Sequence, residues 1–304
     1  MTIQYSRKEL VMTLVRHLLP PEYIPFGEDQ LLETRLLRTS HSNRSEDPIG
    51  QDDKDTLRVS SWNVRHSTNI NGILDTIQKN TDLANSDVIA LQEVKMGEKD
   101  YAQEIARATG FGYVYGIEFL MQSEQLREEI GNMLLSRHSF VEYTILRLSA
   151  GNYSGLNNSR MIGSNMAIRA RIIKNERQII VYSAHLELMT TMVYRRAQIE
   201  KLLEDASRYK ETPVLIAGDF NFVFESQRNQ TLKLVRQSGF QDPLGDNGQP
   251  TVNDTIGKSL RRVLGGRAVL DRVMSRGLTL AYTKVHYDVQ ASDHHPVTAV
   301  YHFI

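Results

Sequence analysis

The chain has 304 residues, of which 40% are hydrophobic, so it can bury the core of one large domain or two small ones. Its 36 basic and 36 acidic residues balance, so no global charge attracts nucleic acid or anionic lipid, and any such attraction must be local. The sequence contains no cysteine, which excludes disulfides, thiolate catalysis and cysteine-ligated zinc.

Features of membrane and secreted proteins are also missing. No apolar run approaches the ~20 residues that cross a bilayer. Charged residues such as Arg7 and Arg16 interrupt the N-terminal region, where a secretion signal needs an apolar segment. We therefore expect a soluble, cytoplasmic protein without a membrane span.

The first 56 residues differ from the rest. Apolar residues between positions 10 and 18 have helical spacing, and a second apolar cluster at 31–37 is consistent with another short helix. Residues 39–55 are polar and aperiodic, which is typical of a linker or an exposed loop. We predict an N-terminal helical extension and linker over 1–56 and one catalytic domain over 57–304. The extension is either a partner-binding appendage or a helix packed on the main domain.

From Leu57 onward, short apolar runs predict many strands and few helices, which does not fit a regular βαβ repeat. We predict an α+β fold in which two mainly antiparallel sheets pack face to face with helices outside. The predicted strands are 57–62, 87–92, 111–117, 132–135, 140–148, 166–173, 179–184, 214–217, 268–273, 278–285 and 296–303, and the predicted helices are 71–80, 100–109, 194–209 and 225–238.

Polar residues follow several of these runs at the point where each run ends. Read one at a time, an Asp or Asn in such a place is most often a turn former or a helix cap. Strand ends also lie at the rim of a sheet, however, so several of them can converge on one cleft. The residues in question are Asn63, Glu93, His185, Asp219 and Asn221.

The residue types in this set suit phosphoester chemistry. Glu93 and Asp293 offer the hard carboxylate oxygens that Mg2+ and Mn2+ prefer. His185 and His294 can donate hydrogen bonds to phosphoryl oxygens, and Asp271 can hold an imidazole in its donor tautomer. Together they predict metal-dependent hydrolysis of a phosphoester.

Six short strings carry these residues in the order WN, LQE, SAHLE, GDFN, LDR and SDHHP. Each string is weak alone, but jointly they are specific, and over residues 57–304 they resemble the endonuclease/exonuclease/phosphatase superfamily of metal-dependent phosphoesterases. The resemblance implies a four-layer αββα sandwich, hydrolysis by an activated water, and Mg2+ or Mn2+ as the cofactor.

The resemblance also implies a role for eight residues. Three lie at the metal, four act on the water or the phosphoryl group, and Asp271 is the hydrogen-bonded partner of His294. Whether Asp219 or His294 is the general base stays open. The implied metal residues are Asn63, Glu93 and Asp293, with Asn63 also binding the substrate phosphate, and the implied catalytic residues are His185, Asp219, Asn221, Asp271 and His294. His66 and His295, which adjoin the motifs, are predicted to support or pack against the site rather than to bind metal.

A basic stretch just before the strand of Asp271 bears on the substrate. Glycines at 257, 265 and 266 indicate that its first part, 258–267, is a mobile loop. Such a loop can contact the phosphates of a polyanion, and we assign substrate binding to Arg261 and Arg262. The alternative is a solvated face that balances nearby acids, which we prefer for the run around Arg169 and Arg171. The stretch consists of Lys258, Arg261, Arg262, Arg267, Arg272 and Arg276.

We therefore predict a nuclease or a DNA-end or DNA-repair phosphodiesterase, with nucleic acid as the substrate. Zero net charge favours an alternative, a phosphoesterase acting on a lipid headgroup or a small soluble phosphate ester. A catalytically silent binding protein of the same fold is disfavoured, because all eight positions hold residue types that are competent for catalysis.

Overall fold

A computed structural model of the chain describes residues 23–24, 39–42, 48–122, 127–148, 160–188, 192–222, 225–245, 248–253 and 268–304. The helices predicted before residue 38 lie outside these residues. So does the predicted binding loop 258–267, with Arg261 and Arg262.

Fourteen strands are present in the described residues, and they form one sheet of nine strands and one of five. The strands are β1 (Tyr23–Ile24), β2 (Thr39–Ser42), β3 (Thr56–Asn63), β4 (Val88–Met96), β5 (Gly112–Gln122), β6 (Arg127–Ser136), β7 (Phe140–Arg147), β8 (Arg160–Gly163), β9 (Met166–Lys174), β10 (Arg177–His185), β11 (Val214–Asp219), β12 (Asp271–Arg276), β13 (Leu278–Val285) and β14 (Val297–Phe303).

The strand order of the larger sheet is β1-β8-β5-β6-β4-β3-β14-β13, with β2 paired to β5, and that of the smaller sheet is β12-β11-β10-β9-β7. Most neighbouring strands are antiparallel, as predicted. Parallel pairs occur between β3 and β4, β10 and β11, and β1 and β8, so both sheets are mixed. The first two of these pairs bring the carboxyl ends of their strands to the same edge, where polar residues collect.

Helices cover the outer face of each sheet. They are α1 (Ile70–Lys79), α2 (Thr81–Ala84), α3 (Tyr101–Thr109), α4 (Met192–Ala206) and α5 (Glu225–Gln237). None of the helices in the described part of the chain is long and apolar enough to cross a membrane.

Three apolar clusters hold the four layers together. Between the sheets, residues such as Val59 and Ala90 of the larger sheet meet Val181 and Leu215 of the smaller one. Because strand side chains alternate between faces, Trp62 of β3 points the other way and packs in the cluster under α1 and α3. The third cluster joins α4 and α5 to the smaller sheet. The four-layer αββα sandwich is thus confirmed.

Part of the predicted linker belongs to the sheet. Residues 39–42 form β2, which pairs with residues 113–116 of β5, so the linker interpretation is wrong for these four residues. Further on, the carboxylate of Asp52 lies 2.8 Å from Nζ of the buried Lys174, which also contacts Asp87 at 2.5 Å. The division of the chain at residue 57 stays a prediction.

His286 is a buried histidine that directly follows β13. Its Nδ1 accepts a hydrogen bond from Asn80 Nδ2 at 3.2 Å, so in the neutral ring Nε2 donates to Thr298 Oγ1 at 2.9 Å. Burial lowers the pKa of His286 below its ordinary value and outweighs the opposing effect of the Asp82 carboxylate. The other charged groups that act on it are Lys284, Asp288 and Arg58.

This lowered pKa predicts a pH-dependent stability. The unfolded chain, in which a histidine has a pKa of about 6.5, binds the proton more readily than the folded protein does. The contribution of neutral His286 is therefore complete above pH ~6.5 and is lost as the pH falls through the folded pKa. We expect the free energy of unfolding, measured by urea denaturation, to fall less between pH 7 and pH 5.5 in H286Q than in the wild type. The matched variant H302Q, at an exposed position, should show the same change in unfolding free energy between these pH values as the wild type. Equal changes for wild type and H286Q would contradict the lowered pKa of His286.

Candidate active site

The candidate site lies where strands of both sheets end at one edge of the sandwich. Asn63, His185 and Asp219 are the last residues of β3, β10 and β11, and Asp271 is the first residue of β12. The parallel register of β10 and β11 pairs His185 with Asp219, and the antiparallel register of β11 and β12 pairs Asp219 with Asp271. Sheet register alone therefore places these three side chains next to one another.

The Asn63 side chain connects the two sheets across this edge. Its Nδ2 donates to Glu93 Oε1 at 2.9 Å, on the larger sheet, and lies 3.1 Å from Asp219 Oδ2, on the smaller sheet. Its Oδ1 accepts a hydrogen bond from the backbone N–H of Arg65 at 2.9 Å. All polar atoms of this buried amide are thus engaged, so its orientation is fixed.

Two carboxylate–histidine pairs flank Asp219. His185 Nδ1 lies 2.8 Å from Glu118 Oε2, and His294 Nδ1 lies 2.7 Å from Asp271 Oδ2. Because each Nδ1 is held by a carboxylate, each Nε2 turns toward the centre, 3.8 Å (His185) and 3.9 Å (His294) from Asp219 Oδ2. The pairs place two imidazole N–H donors on either side of one carboxylate.

The surrounding acids keep both imidazoles protonated. Burial alone would lower the pKa of His185, but the Glu118 carboxylate, together with Asp219 and Glu93, raises it to about 10. For His294, Asp271 and Asp219 likewise overcome burial and raise the pKa well above the ordinary value. Near neutral pH both rings therefore carry a proton on Nε2.

Asn221 is held beside Asp219 by a tight turn. Its backbone N–H donates to Asp219 Oδ1 at 2.9 Å, and its Nδ2 donates to the carbonyl oxygen of Leu186 at 2.8 Å. Its φ of 48° is left-handed, which asparagine tolerates better than most residues. Gly218 is required before this turn, because a Cβ there would lie 1.8 Å from the carbonyl oxygen of Ala184.

Comparison with known proteins identifies the family. A profile of the Endonuclease/Exonuclease/phosphatase family matches residues 60–294. The chain belongs to this family. A search of curated proteins finds no significant match.

Solved structures of family members share the fold at low sequence identity. A family protein from Beutenbergia cavernae superposes with a TM-score of 0.65 at 18% identity, covering 82% of this chain and 72% of that one. The human Nocturnin catalytic domain with bound sulfate gives 0.60 at 17%, covering 88% and 97%. A D. rerio TDP2 humanized by 14 mutations gives 0.58 at 19%, covering 81% and 98%.

The structure brings the family's implied positions together. Asp293, the last of the eight, lies at the solvent side of the group, where its Oδ2 is 3.6 Å from Arg65 Nε. His66 Nε2 lies 3.1 Å from Glu93 Oε2, and His295 is buried with its ring edge-on to Tyr287. Both histidines support or pack against the site, as predicted.

A helix outside the site fixes two of its loops. From α4, Arg195 donates through Nη1 to the carbonyl oxygen of Phe220 at 2.8 Å and through Nη2 to that of Glu187 at 2.5 Å. One turn later, Gln198 Oε1 accepts the backbone N–H of Glu187 at 3.2 Å. The loops that carry His185 and Asp219 are thus joined to one rigid element.

Backbone strain also concentrates here. Glu93 has a φ of 59° at an irregularity in the pairing of β4 with β6, and Arg65, His66 and Ser67 have φ values of 47°, 52° and 51°. Each left-handed residue other than glycine costs roughly 1 kcal/mol or more. Such conformations persist only where surrounding contacts hold them, and they cluster at functional sites.

Two arginines of the predicted basic stretch do not face a substrate. The buried guanidinium of Arg272 pairs with the buried Asp242, and Arg276 donates to the carbonyl oxygens of Ala206 at 2.7 Å and Tyr209 at 3.0 Å. Both side chains tie loops to β12 and are therefore not available to a substrate; the assignment of substrate binding to Arg261 and Arg262 stays a prediction. The prediction for Arg169 is confirmed, since it pairs with Asp205.

Glu118 is a site residue that the sequence interpretation missed. It is fully buried in β5, with one oxygen on His185 and the other 2.6 Å from Asn165 Nδ2. The available signal was a single acid inside the apolar run FGYVYGIEFL, because a carboxylate is buried only when it is paired.

The residues present fit a divalent cation. Glu93 and Asp293 can supply hard oxygen ligands beside Asn63, and ligand atoms of Asp219, Asp271 and His294 lie within 4.8 Å of one another. Within that trio, Asp271 and His294 bond to each other, which leaves the Asp219 carboxylate available at the centre of the site. A second acid–histidine group, Asp52, Asp87 and His138, already holds the ammonium of Lys174.

Proposed function

We propose that this protein is a divalent-metal-dependent phosphodiesterase that hydrolyses nucleic acid, in particular at DNA ends, by direct attack of water. The observation that carries the proposal is the position of Asp219, which contacts Asn63 and lies between the Nε2 atoms of two carboxylate-held histidines. This places a proton acceptor among preorganised donors, which is the arrangement that phosphoryl transfer to water needs.

The chain's own residues supply most of the chemistry. Asp219 and Asn221 hold the attacking water, and Asp219 takes its proton, because His294 already carries a proton on Nε2. The Nε2–H groups of His185 and His294 bind the phosphoryl oxygens as negative charge builds on them, and Asn63, whose Nδ2 donates to Glu93 and Asp219, orients those two carboxylates. Glu93, with Asn63 and Asp293, would hold Mg2+ or Mn2+, which would supply positive charge that offsets the negative charge of the reacting phosphoryl group.

Two features support nucleic acid as the substrate. D. rerio TDP2 in complex with a single-strand DNA product has a similar fold, with a TM-score of 0.58 at 17% identity. The sequence also has a basic stretch with Arg261 and Arg262 shortly before Asp271, and we propose that these two arginines contact the substrate phosphates.

A substrate panel tests the proposal. We expect hydrolysis of bis-p-nitrophenyl phosphate in Mg2+ or Mn2+, none in excess EDTA, and faster hydrolysis of single-stranded DNA, abasic duplex or 5′-tyrosyl DNA than of sphingomyelin or inositol phosphates. D219N should lose roughly 10²-fold or more in kcat, because it removes the group that positions the water. Hydrolysis confined to sphingomyelin or inositol phosphates would contradict the nucleic-acid assignment, and no hydrolysis of any ester would contradict the enzyme assignment.

A further inference from the structure

The left-handed turn 65–67 directs two side chains over the mouth of the site. Hydrogen bonds from both sides hold the turn: the N–H of Arg65 donates to Asn63 Oδ1, and Ser67 Oγ accepts the N–H of Lys95 at 3.3 Å. Ser67 itself is buried, whereas the side chains of Arg65 and His66 are 43% and 47% exposed. A strained backbone that holds a guanidinium and an imidazole half exposed above buried polar groups is the pattern of a binding rim.

Arg65 has unused donors at this rim. Its one described side-chain contact is loose, with Nε 3.6 Å from Asp293 Oδ2. Among the described residues, neither terminal nitrogen of Arg65 has a partner. Terminal guanidinium nitrogens without a partner can bind a phosphoryl group through two parallel hydrogen bonds.

The other arginines close to the described site are engaged elsewhere. Arg195 donates hydrogen bonds to backbone carbonyl oxygens, and Arg272 forms an ion pair with Asp242. The deep donors, His185 and His294, have side chains only 10% and 12% exposed and face Asp219. The site therefore has an inner set of donors for the scissile phosphoryl group and, on its solvent side, the guanidinium of Arg65.

We propose that Arg65, with His66 beside it, forms a subsite for a second phosphoryl group of the substrate, outside the one that is hydrolysed. The proposal deepens the proposed phosphodiesterase function and rests on it for the position of the scissile group. A second phosphoryl group is available both in a nucleic-acid backbone and in a multiply phosphorylated headgroup.

Calorimetric titration of ligand pairs tests the subsite without turnover. With Mg2+ present, wild type should bind thymidine 3′,5′-bisphosphate more tightly than thymidine 5′-monophosphate. R65Q should weaken bisphosphate binding by about tenfold and monophosphate binding much less, because a charge-assisted hydrogen bond to the second group is lost. R65K keeps the positive charge but loses the forked pair of donors, so its affinity for the bisphosphate should lie between those of the wild type and R65Q. R196Q, at an exposed arginine on α4, is the matched control and should bind like wild type.

The outcomes separate this subsite from the proposed function. If R65Q lowered the affinity for both nucleotides equally, Arg65 would belong to the scissile-group or metal site, and the subsite would be overturned. The subsite would also be overturned if the wild type bound the bisphosphate and the monophosphate of each pair with equal affinity. Titration with inositol 1,4-bisphosphate and inositol 1-phosphate identifies which class of substrate supplies the second phosphoryl group. It is the class, nucleotide or inositol phosphate, in which the affinity difference between bisphosphate and monophosphate depends more strongly on Arg65. If no ester in the substrate panel were hydrolysed, the proposed function would be contradicted, but the ratio of the affinities for bisphosphate and monophosphate could still be measured.

Discussion

H294A should lower kcat for bis-p-nitrophenyl phosphate by roughly 10²- to 10³-fold, the loss typical of removing one preorganised donor to a developing oxyanion. The expected size follows from the position of His294, whose Nε2 is directed at the centre because Asp271 holds its Nδ1 at 2.7 Å. The raised pKa of His294 keeps that Nε2 protonated near neutral pH. The measurement is steady-state kinetics at saturating Mg2+.

D271N should reduce kcat by about 10- to 100-fold, because the neutral amide no longer holds the imidazole as a charged donor. The double variant should be little slower than H294A alone, since the two residues act as a unit. D205N is the matched control: Asp205 is also a buried carboxylate, paired with Arg169 and Tyr182, and its loss should lower stability without lowering kcat. Additive effects of H294A and D271N would show that Asp271 has only a structural role.

E93Q should reduce activity by at least tenfold at fixed, subsaturating Mg2+, with partial recovery at higher Mg2+. The substitution keeps an oxygen that can accept from Asn63 Nδ2 and removes only the negative charge that a hard cation requires. The melting temperature should change little, because the isosteric side chain keeps the same neighbours. Activity equal to wild type at every Mg2+ concentration would contradict a metal-ligand role for Glu93.

Much of the fold follows from local sequence pattern. The apolar runs that predicted strands at 57–62, 179–184 and 278–285 recur as β3, β10 and β13 with shifts of at most two residues. The pattern could not predict β2, because its residues, Thr-Ser-His-Ser, are polar without alternation and form a strand only through pairing with β5. Strand β12 begins at Asp271 rather than 268, because the N–H groups of Leu270 and Asp271 donate to Thr251 Oγ1.

The site was predictable to the extent that strand ends define it. His185, Asp219 and Asp271 meet because they are paired in adjacent strands, which a strand-end rule anticipates. Glu118 lies mid-strand, so its role depends on a contact with a residue 67 positions away. Arg65 reaches the site only through a left-handed turn, which non-glycine residues rarely adopt and no local pattern indicates.

Mn2+ binding to wild type and E93Q, measured by calorimetry, tests most directly whether Glu93 and its neighbours form the divalent-metal site that hydrolysis requires. We predict saturable binding to the wild type that weakens by at least tenfold in E93Q, in line with the roughly 10- to 100-fold losses seen even when residues behind a metal ligand are changed. Equal Mn2+ affinity in the two proteins, or no binding to the wild type, would contradict the claim.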